Sequence, residues 1–210
     1  MRKARFISVE GIEGVGKSTH LAFIREYLAA RQVDVLMTRE PGGTPAAERI
    51  RAVLLDPKGE TVSPEAELLL MFAARALHVE NVIRPALQAG RWVVCDRFVD
   101  ASYAYQGGGR GTSSRRIASL EQWVLKGLKP DLTILLDAPV AVGMARMNKR
   151  GVPDRFEREQ TAFFKRVRQT YLRRAKREPR RIRVVAADGD LQQVQSRIQQ
   201  LLDTHLKRWL

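Results

Sequence analysis

The chain has 210 residues, of which 44% are hydrophobic and 29% charged, and its formal net charge is +14 at pH 7. This balance excludes a disordered or fibrous protein, and no apolar run approaches the ~20 residues of a membrane-spanning helix. The single cysteine, Cys95, excludes an internal disulfide and a cysteine-cluster metal site.

Short apolar segments rich in β-branched residues predict strands at 5–11, 34–40, 92–98, 132–137 and 182–187. The segments between them carry apolar residues at helical spacing. This alternation predicts an α/β protein with three layers, in which a five-stranded parallel sheet has helices on both faces. The length suits a single domain over residues 1–210. Because ligands of such sheets bind beyond the carboxyl ends of the strands, we expect the functional residues there.

The first strand runs into a glycine-rich stretch, GIEGVGKS, at residues 11–18. A preceding strand and a following amphipathic helix are the setting that a phosphate-binding loop (P-loop) requires. Its backbone N–H groups would surround the phosphates of ATP, while Lys17 would reach the outer phosphates and the Ser18 hydroxyl would bind Mg²⁺. The predicted ATP-binding residues of this loop are Gly11, Ile12, Glu13, Gly14, Val15, Gly16, Lys17, Ser18 and Thr19.

The P-loop identifies the phosphoryl donor but leaves the acceptor open. GTPases would be expected to contain an Asn-Lys-x-Asp segment that reads guanine, and the sequence has none. Helicases and other nucleic-acid motors usually need a longer chain. A small-molecule kinase fits the length best.

The positive charge is concentrated late in the chain, where residues 141–183 contain 15 Lys+Arg against 4 Asp+Glu. In the segment FFKRVRQTYLRRAKRE, the spacing of Phe164, Val167, Tyr171 and Ala175 predicts an amphipathic helix with most arginines on its solvated face. A nucleic-acid-binding ATPase is the alternative that this charge raises. No second surface of basic and aromatic residues supports it.

With these features the sequence resembles the thymidylate kinases, a family of P-loop nucleoside-monophosphate kinases. Four blocks in order carry the resemblance: FISVEGIEGVGKST, TREPGGT, DRFVDASYAYQGGGRG and RMNKRGVPDRFE. General ATPases do not share the second and third blocks. The resemblance implies transfer from ATP, with Mg²⁺, to dTMP, giving dTDP for dTTP synthesis, and it implies a homodimer. We expect a cytoplasmic enzyme without a nucleic-acid or membrane partner, because the apolar stretch at the N-terminus is too short for a signal peptide.

The acceptor site needs guanidinium groups, because a monophosphate brings about two negative charges beside an anionic triphosphate. Arg97, directly after the third strand, and Arg51, on the helix after PGGT, are the candidates. The resemblance implies that Phe72 stacks on thymine and Arg75 hydrogen-bonds the edge of the base, although spacing alone would assign Phe72 to the core. Further acceptor-site residues that it implies are Glu40, Ser102, Tyr105 and Gln106, of which Tyr105 would lie against the sugar.

The fourth block, residues 146–157, resembles the lid of this family. Some members place an arginine beside the P-loop lysine, and others supply it from the lid. Because Ser18 follows Lys17 here, the sequence resembles the lid-arginine type. Either Arg150 or Arg155 would then contact the transferring phosphoryl group, and Arg146 is assigned to ATP.

Two aspartates, Asp96 and Asp137, each end a predicted strand and compete for the position beside the metal. Asp96 is preferred because Arg97 adjoins it and the family motif contains the pair. A phosphate acceptor is already ionised at neutral pH and needs no general base, whereas a nucleoside acceptor needs a carboxylate. A deoxynucleoside kinase with Glu40 as its base is therefore the alternative for the acceptor side.

Overall fold

The structure is a computed structural model, and it describes residues 3–147 and 154–209. Within them, five parallel strands form one sheet in the order β2-β3-β1-β4-β5. The strands are β1 Phe6–Glu10, β2 Val35–Arg39, β3 Trp92–Asp96, β4 Leu132–Asp137 and β5 Ile182–Ala186. Each predicted strand segment contains one of them, so the predicted five-stranded parallel sheet is confirmed.

The connections between the strands contain helices. The helices are α1 Lys17–Ala29, α2 Pro45–Leu55, α3 Pro64–His78, α4 Arg84–Gln88, α5 Val99–Ser102, α6 Ser114–Leu125, α7 Val140–Met147, α8 Thr161–Arg177 and α9 Leu191–Trp209. A π-helical turn at Val79–Ile83 joins α3 to α4, and another at Tyr103–Gly109 extends α5. Thr44 and Ser63 cap α2 and α3 by accepting backbone N–H groups, and each is followed by the proline that begins its helix.

Two apolar clusters, one on each face of the sheet, build the three layers. In β3 the side chains alternate, so that Val94 joins the cluster with α1, α8 and α9, whereas Val93 and Cys95 join the cluster with α3 and α6. The predicted helices on both faces are thereby confirmed. None of the described helices is long and apolar enough to cross a membrane.

Helix α8 has the predicted amphipathic character. Its stripe of Phe164, Val167, Tyr171 and Ala175 is buried, while Arg166, Arg173 and Arg177 are exposed. The charge-rich segment therefore packs its apolar face against the core and exposes its arginine-rich face to solvent.

The carboxyl ends of the central strands meet at one edge of the sheet, where the P-loop leaves β1 and enters α1. Asp96 at the end of β3 is in register with Val9 of β1 and with Arg39 of β2. The P-loop also lies against α7, since a Cβ atom on Gly14, at φ 74°, would overlap the carbonyl of Gly143. Only glycine fits at this position.

Candidate active site

A cavity of about 210 Å³ opens at the carboxyl edge of the sheet. Its walls come from the P-loop, the loop after β2, α2, α3, the end of β3 with the helical turns that follow, and residues 154–157. The predicted site residues that it brings together are Glu13, Gly14, Gly16, Lys17, Ser18, Glu40, Arg51, Arg75, Asp96, Arg97, Ser102, Tyr105 and Gln106.

Lys17 is held by the P-loop that contains it. Its Nζ donates to the carbonyls of Gly11 at 3.2 Å and Ile12 at 3.1 Å. Burial, and then the charge of Arg97, lowers the pKa of Lys17 to about 8. An anion at the P-loop would stabilise its charged form. The side chains of Ile12 and Val15 are in the core, so these two residues offer only backbone groups to a phosphate.

Arg97 stands at the centre of the cavity in an uncommon backbone conformation. Its φ is 67°, in the left-handed region that non-glycine residues seldom adopt. Its Nη2 donates to Glu13 Oε1 at 2.7 Å, its Nη1 donates to the Tyr171 hydroxyl at 3.3 Å, and its guanidinium lies 4.6 Å from the ring centroid of Tyr105. Strained conformations concentrate at functional sites, and here the strain fixes a guanidinium beside the P-loop.

Glu10 is a buried carboxyl beneath this guanidinium. It accepts the Tyr171 hydroxyl at 2.7 Å and the backbone N–H of Phe98 at 2.7 Å. Burial, and then the negative charge of Asp100, raises the pKa of Glu10 to about 8. Sequence reasoning treated Tyr171 only as part of an apolar stripe, and nothing in its spacing revealed that its hydroxyl joins Glu10 to Arg97.

On the opposite wall, Arg75 is fixed by three acceptors. Its Nε donates to Glu40 Oε2 at 2.6 Å, its Nη1 to the Ser102 hydroxyl at 3.0 Å, and its Nη2 to the Phe98 carbonyl at 3.3 Å. Glu40 also contacts His78 Nδ1 at 3.1 Å. Both oxygens of Glu40 are thus engaged in positioning α3 and Arg75.

The two candidate metal-proximal aspartates have different surroundings. Both oxygens of Asp137 accept from Arg168, at 2.7 and 2.8 Å. Asp96 lines the cavity, and its Oδ1 is buried without a hydrogen-bond partner in the described part of the chain. A hard oxygen left unpaired in the cavity that Ser18 also lines suits a divalent cation that arrives with a triphosphate.

Comparison with known proteins identifies the family. A family model described as "Thymidylate kinase" matches residues 9–198. A thymidylate kinase of Chromohalobacter salexigens is 56% identical over 211 aligned residues, covering 100% of both chains, and one of Chromobacterium violaceum is 54% identical over 99% of this chain and 98% of its own. The crystal structure of the Ehrlichia chaffeensis thymidylate kinase superposes with a TM-score of 0.76 at 32% identity, covering 95% of this chain and 98% of that one.

The chain belongs to the thymidylate kinase family. The family prediction made from the four sequence blocks is therefore confirmed, and the chain shares its fold with the solved thymidylate kinase of Ehrlichia chaffeensis. The roles of individual residues stay predictions.

Phe72, which the resemblance assigned to the base of a thymidylate kinase substrate, does not line the cavity. It is 2% exposed, it packs in the cluster with α3 and α6, and the Arg75 guanidinium lies 4.7 Å from its ring centroid. Its neighbour Met71 lines the cavity instead. On this helix a one-residue step turns a side chain by about 100°, so the apolar spacing that assigned Phe72 to the core agrees with the structure.

The lid arginines have three different positions. Arg155 is held by α2 and α3, since its Nε donates to the Leu54 carbonyl at 2.8 Å and its Nη2 to Glu67 Oε2 at 2.6 Å. Arg150 lies outside the described residues. Arg146 donates to the Ala187 carbonyl at 3.3 Å, beyond the end of β5.

Proposed function

We infer that the protein is a dTMP kinase, which transfers the terminal phosphoryl group of ATP to dTMP and forms dTDP for dTTP synthesis. Full-length similarity to thymidylate kinases supports this activity. One observation carries it at the site: Lys17 of the P-loop, Arg97, Arg75 and Gln106 line a single cavity. The cytoplasmic location and the absence of a nucleic-acid partner stay predictions.

Transfer in this cavity depends on alignment and on neutralised charge. Lys17 is placed for the outer phosphates of ATP, and Arg97 lies between the P-loop and the acceptor wall, where it can contact both substrates. Arg51, half-buried and bound to the Pro41 carbonyl at 2.9 Å, adds positive charge on the acceptor side. The attacking oxygen of a monophosphate is already ionised, so no general base is required.

A kinase of this family needs a divalent metal with ATP, and we propose Mg²⁺. Bound with the nucleotide, this ion would neutralise phosphate charge. The Ser18 hydroxyl and the unpaired Oδ1 of Asp96 fit it, because both are hard oxygens at the P-loop end of the cavity. Asp137, held by Arg168, is the less suitable carboxylate.

The contacts of Glu40 with Arg75 and His78 argue against a kinase that phosphorylates thymidine. A nucleoside hydroxyl would need a carboxylate free to take its proton. Glu40 is 5% exposed and is committed to Arg75 and His78. Its proposed part is to hold Arg75 in the acceptor site.

A panel of acceptors tests the proposed activity. With ATP and Mg²⁺, a coupled assay of ADP release should give efficient turnover with dTMP and little with dCMP, dAMP, dGMP or thymidine. Turnover of thymidine with none of dTMP would assign the protein to the nucleoside kinases instead. Stimulation of ATP hydrolysis by DNA or RNA at low salt would favour the nucleic-acid alternative.

We also propose a homodimer, as the family implies, formed through α2, α3 and α6. These helices pack in succession and present exposed apolar side chains: Val53 at 51%, Leu69 at 57% and Trp123 at 74% exposure. Exposed apolar groups on neighbouring helices are typical of interfaces.

The substitution Trp123→Glu should convert the dimer to a monomer, because it buries a charge in this interface. Sedimentation equilibrium measures the change. Val184→Glu, at a 49% exposed position on β5, is the matched control and should stay dimeric. A wild-type protein that sediments as a monomer would remove the proposed dimer.

A further inference from the structure

Glu67 is a fully buried carboxylate on α3 that lies outside the cavity and has no part in the mechanism above. It is 0% exposed and accepts three side chains: Gln106 Nε2 at 2.8 Å, Arg110 Nε at 3.1 Å and Arg155 Nη2 at 2.6 Å. A carboxylate paired with two guanidinium groups can only accept hydrogen bonds.

The consequence falls on the Gln106 amide, which lines the cavity. A glutamine amide can present either its donor or its acceptor, and the two orientations have nearly the same shape. Because Glu67 accepts only, Nε2 must face it, and Oε1 is left for the cavity. Among the residues that the structure describes, the hydrogen bond to Glu67 is the one that the Gln106 side chain makes, so the protein does not engage Oε1.

Gln106 and Arg75 both line the cavity. Arg75 donates to Ser102, which precedes Gln106 by four residues in the continuous helical stretch from α5 to Gly109, about one turn away. The guanidinium of Arg75 can only donate. The wall therefore presents a fixed donor next to an acceptor whose direction is set from behind by Glu67.

This polarity matches one class of pyrimidine. Thymine presents a carbonyl at C4 next to a ring N–H, which requires a donor beside an acceptor. Cytosine presents an amino group next to an unprotonated ring nitrogen, which requires the reverse. We propose that Glu67 is a positioning residue that makes the site selective for thymine over cytosine, by holding the Gln106 amide oxygen toward the base. This inference rests on the proposed dTMP kinase activity.

The substitution Glu67→Gln tests the mechanism because it should reverse the amide. Oε2 of Glu67 accepts from Arg155 at 2.6 Å and from Arg110 Nε at 3.1 Å, whereas Oε1 accepts from Gln106 at 2.8 Å and has a longer contact, 3.4 Å, with Arg110 Nε. In E67Q the amide oxygen at position 67 must accept from Arg110 and Arg155, so the NH₂ group at position 67 faces Gln106. The Gln106 oxygen then accepts from this NH₂, and the Gln106 NH₂ turns into the cavity. The ratio of kcat/KM for dTMP to that for dCMP should fall about 10- to 100-fold, with dCMP turnover rising.

The matched control is E65Q, the same change on the same helix at an exposed position paired with Arg116. It should keep the wild-type ratio. The double variant E67Q/Q106E should regain a ratio within about threefold of the wild type, since a carboxylate at position 106 can only accept. If E67Q does not fold, the kcat/KM ratio of this double variant still tests the proposed role of Glu67.

Equal losses for dTMP and dCMP in E67Q, with an unchanged ratio, would assign Glu67 a purely structural role and overturn the inference. So would a double variant that does not discriminate between the two substrates. Neither result would contradict the proposed dTMP kinase activity. That activity is contradicted only if the wild-type protein does not phosphorylate dTMP.

Discussion

The substitution Arg97→Met should lower kcat/KM for dTMP by at least about 10³-fold, the scale on which an arginine stabilises phosphoryl transfer. Arg97 is the guanidinium that the structure fixes most firmly between the P-loop and the acceptor wall, through Glu13, Tyr171 and the ring of Tyr105. Methionine keeps much of the apolar stem but removes every donor. Steady-state kinetics with ATP and dTMP varied separately measures the loss.

Two further variants serve as controls for Arg97→Met. Arg91→Met changes an exposed arginine at the opposite end of β3, which is paired with Asp34, and it should leave both kinetic constants unchanged. Arg97→Lys keeps the charge but not the fork of donors, so it should recover only part of the rate. A loss in R97M that follows its melting temperature and disappears on cooling would indicate folding and not chemistry.

The sheet was predictable because its signals are local. Each buried strand is a short apolar run bounded by polar residues, and parallel strands with crossover helices bring the ends of β1, β2 and β3 to one edge whatever the details of packing. Lys17, Asp96 and Arg97 adjoin those ends in the sequence. Their convergence follows from topology alone.

The positions that the sequence could not predict are those where side-chain direction matters. Phe72 and Met71 differ by one residue, and apolar spacing places both near the core without deciding which of them reaches the cavity. The contact of Arg155 with Glu67 joins residues 88 apart in sequence, and no local pattern signals such a pair. Glu67 itself reads as an ordinary charge in the first turn of a helix, where carboxylates are common.

The contacts of Arg97 were equally hidden, because its partners lie in other elements. Tyr171 comes from α8 and Glu13 from the P-loop, and together they hold the guanidinium. Sequence motifs identified the arginine, but its conformation depends on three segments meeting at the end of the sheet.

The substitution Lys17→Met should lower kcat by about 10²- to 10³-fold, the effect of removing one preorganised charge from a phosphoryl-transfer site. Lys17 has no structural ion pair in the described chain, only the carbonyls of Gly11 and Ile12. The folded state should therefore tolerate the change, and thermal unfolding checks that it does. A variant with unchanged kcat would remove Lys17 from the transfer step.

The same lysine should make the wild-type enzyme sensitive to alkaline pH. Its pKa of about 8 means that the charged form prevails below pH 8 and is lost above it. The value of kcat/KM for ATP should therefore be level up to about pH 7, fall to about half near pH 8, and then decline by up to about tenfold per pH unit. Glu10, with a pKa of about 8, gains negative charge over the same range. The charged groups that act on Lys17 also include Glu13, Asp96 and Arg97, so the two titrations are coupled.

Glu10→Gln separates the two groups. It removes the carboxyl titration, its amide oxygen can still accept the Phe98 N–H, and its NH₂ can donate to the Tyr171 hydroxyl. Its profile should still fall above pH 8 because Lys17 is intact. Removing the negative charge near Lys17 should shift that fall slightly to lower pH. A profile that becomes level in E10Q would instead assign the alkaline loss to Glu10. The residual activity of K17M supplies the complementary measurement, since only the Glu10 titration remains there.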